Sequence, residues 1–293
     1  MGRIKNLVRN INYLTKHSLW DQREDDIVYL TNKILDDGIY EYDLKLHDFK
    51  RLKVLKREES IDLIISSGES FVRFGDGEIN LMKGIDQPFQ RHDKELVQRL
   101  YHILSIPQQN LLVGLNEHYF EPGYKHTNYD YNRRHAYDFR QFFIENCDMH
   151  RTYIDGQCTF YEFGNNGEET VQFWKKWKEA FKDKDIVIIC GEGILDKLQY
   201  DVFEYAKSRK YIYGPSRHAW CRHDEIIGRI KKEISTDQLL IFILGMAGKA
   251  MIPEVTAMGY CAWDIGHLTK SYNAYMNNMQ PTNENIRNFY APD

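Results

Sequence analysis

The 293-residue chain has little of what most often announces a function. Its five cysteines (Cys147, Cys158, Cys190, Cys221 and Cys261) are odd in number, widely spaced and never in a C-x-x-C pair. That argues against a zinc site and a disulfide framework, and reduced thiols in a cytosolic protein are the expectation. No stretch approaches the roughly 18 apolar residues of a spanning helix. The first residues also lack the apolar run and small-residue cleavage site of a signal peptide. A soluble, cytoplasmic protein is therefore expected. There is no internal repeat, no low-complexity tract and no Pro/Gly/Ser-rich linker, and only 7 prolines in all. A net charge of −4 gives no global reason to expect nucleic acid, which calls for a basic surface. Two phosphate-binding fingerprints are missing as well. Gly191-Glu-Gly193 meets Asp196 where G-x-G-x-x-G needs its third glycine, and Gly248-Lys249 lacks the glycine spacing and the following Ser/Thr of a Walker A loop. Nicotinamide and P-loop chemistry are set aside accordingly.

What is present is an α/β pattern. The length suffices for a substantial core, and 14% of the residues are aromatic, which serves sugar stacking or ordinary packing. Between Met1 and Trp20, Arg3, Lys5, Arg9, Lys16 and His17 occur without an acid, while Ile4, Leu7, Val8, Ile11 and Leu14 recur at helical spacing. Such a helix suits peripheral contact with the inner face of a membrane, packing on its own domain, or a homodimer. Residues from about Asp25 to Ser67 read mostly as helix, and residues 1–60 are taken as a helical extension. From Ser70 the pattern changes. Short apolar runs at Phe71–Phe74, Leu111–Leu115, Thr152–Ile154, Asp185–Cys190, Lys210–Tyr213, Leu239–Leu244 and Tyr260–Ile265 alternate with helical stretches, including one expected from Gly193 to about Ala206. Near-continuous Val/Ile/Leu runs separated by helices predict parallel strands buried on both faces. The expected fold is a Rossmann-like, mostly parallel twisted sheet with flanking helices, whose ligands bind beyond the carboxyl ends of the strands.

Those ends carry Gly75, Gly77, Gly191, Gly193, Gly245 and Asp264. Glycine lets backbone N–H groups approach a phosphate closely, so a diphosphate is a natural guest. Asp76 and Glu78 lie one residue apart between glycines at a strand end. Two such carboxylates can aim oxygens at a hard cation, Mn2+ or Mg2+, that bridges a diphosphate. By spacing alone they also read as a turn residue and a support for the next helix N-terminus.

Arg73-Phe-Gly-Asp-Gly-Glu78 and Gly-Tyr-Cys-Ala-Trp-Asp-Ile-Gly-His (Gly259 to His267) resemble the GT-D fold glycosyltransferases, known from bacterial adhesin and surface-polysaccharide glycosylation. The resemblance runs from about Ile61 to Asn277, within a domain taken as 61–293. It implies a UDP-sugar donor on a Rossmann-like sheet and an Asp-x-Glu metal motif at Asp76 and Glu78, with Arg73 before it and Asp264 to His267 as the distal segment. One departure stands out: the family's Gly-Pro-Thr-Ala-Thr is replaced by Gly245-Met-Ala-Gly-Lys249, and Lys249 is positioned to grip a phosphate. Arg217 and His218, past a strand end, are further candidates for nucleotide or acceptor contact. Glu192, Glu117 and His267 are the candidates for the base that activates an acceptor hydroxyl. The polar, Tyr-rich stretch from Asn128 to His135 suits an acceptor-side loop. The expectation is hexose transfer from a nucleotide sugar to a glycan, glycoprotein or lipid-linked acceptor. A metal-dependent phosphoesterase and a non-catalytic nucleotide- or glycan-binding module remain as alternatives.

Overall fold

A computed structural model describes residues 52–120, 130–161, 164 and 166–290. The basic segment 1–20 and most of the expected extension 1–60 lie outside them. The chain divides into two compact units, Met1–Phe49 with Pro122–Asp138, and Lys50–Glu121 with Phe139–Asp293. The second unit holds the sheet.

Eight strands, β1 (Lys53–Val54), β2 (Ser70–Arg73), β3 (Leu111–Leu115), β4 (Thr152–Asp155), β5 (Asp185–Gly191), β6 (Ser208–Gly214), β7 (Leu239–Ile243) and β8 (Ala262–Asp264), form one sheet in the order β1-β4-β3-β2-β8-β7-β5-β6. Every pairing is parallel. The described helices are α1 (Arg57–Ser67), α2 (Asp76–Met82), α3 (Lys94–Ser105), α4 (Asp130–Asn146), α5 (Glu168–Phe181), α6 (His223–Glu233), α7 (Gly245–Ala257), α8 (Leu268–Met276) and α9 (Asn283–Tyr290). Among the described residues none is long and apolar enough to cross a membrane.

Local chemistry sets these elements. In α3, Leu96, Val97, Leu100, Ile103 and Leu104 share one buried stripe, and the Asp93 carboxylate caps the start by accepting from the N–H groups of Glu95 and Leu96 (2.9 and 3.0 Å). Strands β5 and β7 are buried on both faces, as their unbroken apolar runs require. Helix α7 crosses β2, β7 and β8 on one face, with α3 and α6 against it. The other face carries α1 and α5, with α8 packed on α5. There Trp177 lies between Phe71, Phe181 and Trp263, with ring centroids 5.8–6.3 Å apart. The described tryptophans Trp174, Trp177, Trp220 and Trp263 are all buried, so their aromatic surface belongs to packing.

Three local expectations are corrected. The stretch after β5 is a series of turns rather than a helix to Ala206. Asn273 Oδ1 accepts from the N–H groups of Gln199 and Tyr200 (2.7 and 3.0 Å), and Asp201 Oδ1 accepts from Phe203 N–H (2.8 Å), so side chains take the donors that a helix would use. Residues 130–135 belong to α4, not to a loop. Residues 53–54 are a strand that pairs with Thr152 and Tyr153, too short for periodicity to register.

Candidate active site

Strands β2 and β8 meet at the centre of the sheet, with β3 and β4 to one side and β7, β5 and β6 to the other. The segments leaving β2, β7 and β8 converge at their carboxyl ends, where open α/β sheets bind ligands. Gly77 lies so close to α7 that a Cβ there would fall 2.8 Å from Met246 Cε. Gly266, at φ +47°, leaves only 2.1 Å between a would-be Cβ and Arg73 Nη2. The Met246 methyl could swing aside for a side chain at Gly77, but one at Gly266 would need a left-handed backbone and would displace a guanidinium held by Asp264.

Arg73 fastens the edge. Its backbone N–H donates to Asp264 Oδ2 (3.1 Å), Nη2 to Asp264 Oδ1 (3.2 Å), Nε to Asp264 O (2.9 Å) and Nη1 to Gly156 O (3.3 Å). Burial opposes the guanidinium charge, but Asp264 more than offsets it and the pKa of Arg73 is raised. Both residues were expected to contact a nucleotide; the structure has them bind one another and tie β2 to β8 and to the end of β4.

Gly75 opens α2, with Asp76 in its first position and Glu78 in its third. Glu78 is buried. Its Oε2 accepts from Gly75 N–H (2.8 Å) and its Oε1 from Lys249 Nζ, which reaches across from α7. The Lys249 ammonium also lies 3.9 Å from Asp264 Oδ2. Asp76 is exposed at the mouth of this cluster; desolvation by the surrounding protein, and then the charge of Glu78, hold its carboxyl above the usual carboxylate range.

These contacts bear on the divalent ion expected at Asp76 and Glu78. Both oxygens of Glu78 already have partners, one of them a cation, and Asp264 is held by Arg73. Among the described residues no three carboxylate, histidine or cysteine side chains converge as a metal cage. A dication sharing Glu78 would sit beside a buried ammonium, so this donor set, as arranged, does not fit one.

His267, in the segment after β8, packs against Phe289 and Tyr290 with ring centroids 5.5 and 5.7 Å away. The ring is exposed at the surface, and crowding by the surrounding protein, followed by the charges of Lys270, Arg73 and Lys249, lowers its pKa, so the imidazole is neutral at physiological pH. Gly245, at φ +53°, is the first residue of α7, directly after β7.

Other candidates stand apart. Gly191, Glu192 and Gly193 end β5, on the far side of β7 from β8. A Cβ at Gly191 would lie 2.4 Å from Ile194 Cδ1 and 2.6 Å from Ser216 Cα, so close packing by the chain itself requires a glycine here. Gly191→Ala should therefore lower the midpoint of chemical denaturation, by roughly 1–3 kcal/mol of unfolding free energy, because backbone at Ser216 must move. Arg217 is exposed beyond the edge strand, and His218 Nδ1 accepts from Arg91 N–H (3.1 Å), a loop-fastening contact. Glu117 follows β3, buried and paired with Lys56.

Sequence reasoning missed Asp155. It is buried at the end of β4 and accepts from the N–H groups of Gln157 and Glu117 (3.0 and 3.3 Å). Burial raises its pKa, against those hydrogen bonds and Arg57. The signal was available, since Tyr153-Ile-Asp-Gly156 repeats at a strand end the Asp-Gly of Asp76-Gly77. All five cysteines are free thiols, as expected.

The model of the family described as "Glycosyltransferase GT-D fold" matches residues 71–289. Over 235 residues the chain is 28% identical to a probable glycosyl transferase, Gly, of Streptococcus gordonii, covering 76% of this chain and 33% of the relative. It is 29% identical over 225 residues to the glycosyltransferase GlyD of Streptococcus pneumoniae serotype 4, covering 73% of this chain and 26% of the relative. The chain thus spans only about a third or less of these relatives. Among solved structures, a domain of unknown function 1792 described as having a distinct glycosyltransferase fold is 29% identical, with a TM-score of 0.69 over 78% of this chain and 83% of that one. A second, described as a new glycosyltransferase from Streptococcus sanguinis, is 26% identical, with a TM-score of 0.67 over 78% of this chain and 85% of that one. The parallel sheet, the converging segments at its centre and a family match running from β2 through nearly all of α9 lead to one statement: this chain belongs to the GT-D fold glycosyltransferase family.

Proposed function

We propose that the chain transfers a hexose from a nucleoside diphosphate sugar, a UDP-sugar foremost, to a hydroxyl of a glycan, glycoprotein or lipid-linked acceptor. The observation that carries this reading is the cluster of Lys249, Glu78, Arg73 and Asp264 at the centre of the sheet edge, in a chain of this family. In the reaction the bond between the sugar C1 and the β-phosphate oxygen breaks, and its electron pair leaves on the nucleoside diphosphate. A bond forms between C1 and the acceptor oxygen, whose proton passes to a base. Of the three expected bases, His267 fits best. It stands three residues from Asp264 and is neutral, so it offers a ring nitrogen as acceptor, whereas Glu117 is occupied by Lys56 and Glu192 lies beyond β7. The exposed Asp76 carboxylate is suited to accept hydrogen bonds from donor-sugar hydroxyls.

The test is a panel of nucleotide sugars with and without glycan acceptors, each in Mn2+ and in EDTA, following nucleoside diphosphate release. Acceptor-dependent release from at least one donor is expected. Phosphate products formed without any acceptor would favour a phosphoesterase, and binding without turnover a non-catalytic module. Asp76→Asn is expected to lower turnover about ten-fold or more without lowering the melting temperature, because desolvation, and then Glu78, already disfavour its charge.

A further inference from the structure

We propose that the Lys249 ammonium serves as the fixed cation of this site, so that a nucleoside diphosphate binds here without a divalent metal ion. The inference rests on the transferase reading above and concerns how the donor diphosphate is held.

Three observations carry it. First, the position is central: Lys249 rises from α7, bonds Glu78 from the segment after β2, and lies 3.9 Å from Asp264 at the end of β8. It places a positive charge among the three segments that meet at this edge. Second, Lys249 is held in place. Its side chain is only 10% exposed and that of Glu78 only 7%, so neither is a surface group free to swing away. Breaking the pair would leave an uncompensated buried charge, which opposes its displacement by an incoming ion. Third, valence remains. An ammonium has three N–H donors, and Glu78 takes one. Asp264 Oδ2, at 3.9 Å, is beyond hydrogen-bond range and already accepts from Arg73 N–H. Donors are left for phosphate oxygens, for which lysine is a common point-charge partner.

Glu78 serves here as the counter-ion that fixes Lys249 and caps α2, rather than as a metal ligand.

The experiment uses the full chain and a panel of UDP, GDP, dTDP and CDP. Binding is measured by calorimetry in EDTA and again in millimolar Mn2+, and Mn2+ binding alone is followed by electron paramagnetic resonance. At least one nucleotide is expected to bind with affinities that agree within about three-fold between the two conditions. Free protein is expected to leave the Mn2+ signal undiminished. Lys249→Met combined with Glu78→Gln removes both charges and retains an acceptor for Gly75 N–H, so the fold is preserved and can be checked by circular dichroism. This folded double variant is expected to bind the nucleotide about ten-fold or more weakly in EDTA. Nucleotide binding that appears only with Mn2+ would overturn the inference and leave the transferase reading standing. So would a folded double variant that binds as tightly as the wild type. No nucleotide binding in either condition would overturn both.

Discussion

Asp264→Ala is expected to destabilise the protein by about 3–5 kcal/mol, the range for stripping one partner from a buried ion pair. Asp264 is 2% exposed, and its two carboxylate oxygens accept from the backbone N–H and the Nη2 of Arg73. Alanine would orphan both donors and leave the Lys249 ammonium with one carboxylate fewer. Not every bond to Arg73 would go, since Nε donates to the Asp264 backbone oxygen and Nη1 to Gly156 O. Asp264→Asn keeps the shape and an acceptor, so its loss should be smaller. Chemical denaturation of the three proteins checks the ranking; equal stability of wild type and Asp264→Ala would show that the pair does not hold β2 to β8.

Trp177→Ala is expected to cost a similar amount, about 3–5 kcal/mol, for a different reason. Trp177 is fully buried on the face opposite α7. Its ring packs on Phe71, Phe181 and Trp263, and its Nε1–H donates to Cys158 O (2.9 Å). Truncation opens a cavity under the centre of the sheet and orphans a buried carbonyl. Trp177→Phe fills most of the space but cannot donate, so the gap between the two variants separates packing from the hydrogen bond. Thermal and urea unfolding report both, and a loss below 1 kcal/mol for alanine would mean the site collapses far better than this close packing suggests.

The strands were legible because burial on both faces demands unbroken runs such as Asp185-Ile-Val-Ile-Ile-Cys190, a pattern few other arrangements require. The turn segment after Gly193 was not. Its composition suits a helix, and what forbids one is Asn273, far along the chain, whose side chain takes local backbone donors. At the site, the sequence placed Asp76, Glu78, Lys249 and Asp264 on one edge, but no spacing rule says which charges will partner each other. That Glu78 faces Lys249, and Arg73 faces Asp264, is decided by strand order. Gly191 is ambiguous in sequence for a related reason: a glycine needed for close packing looks like one needed for a phosphate.

The same strand order has a consequence for how the chain is made. Arg73 and Asp264 are 191 positions apart, yet their strands are neighbours. At ribosomal speeds of roughly 5–20 residues per second, about 10–40 seconds separate the emergence of the two. Once β3 has emerged, β2 can have it on one flank while the other stays open until β8, an unpaired apolar edge beside a stranded guanidinium. High contact order of this kind makes closure a late event in folding. Nascent chains ending before β8 should therefore be the species that chaperones hold, because they carry Glu78 and Lys249 but lack the Asp264 that holds Arg73.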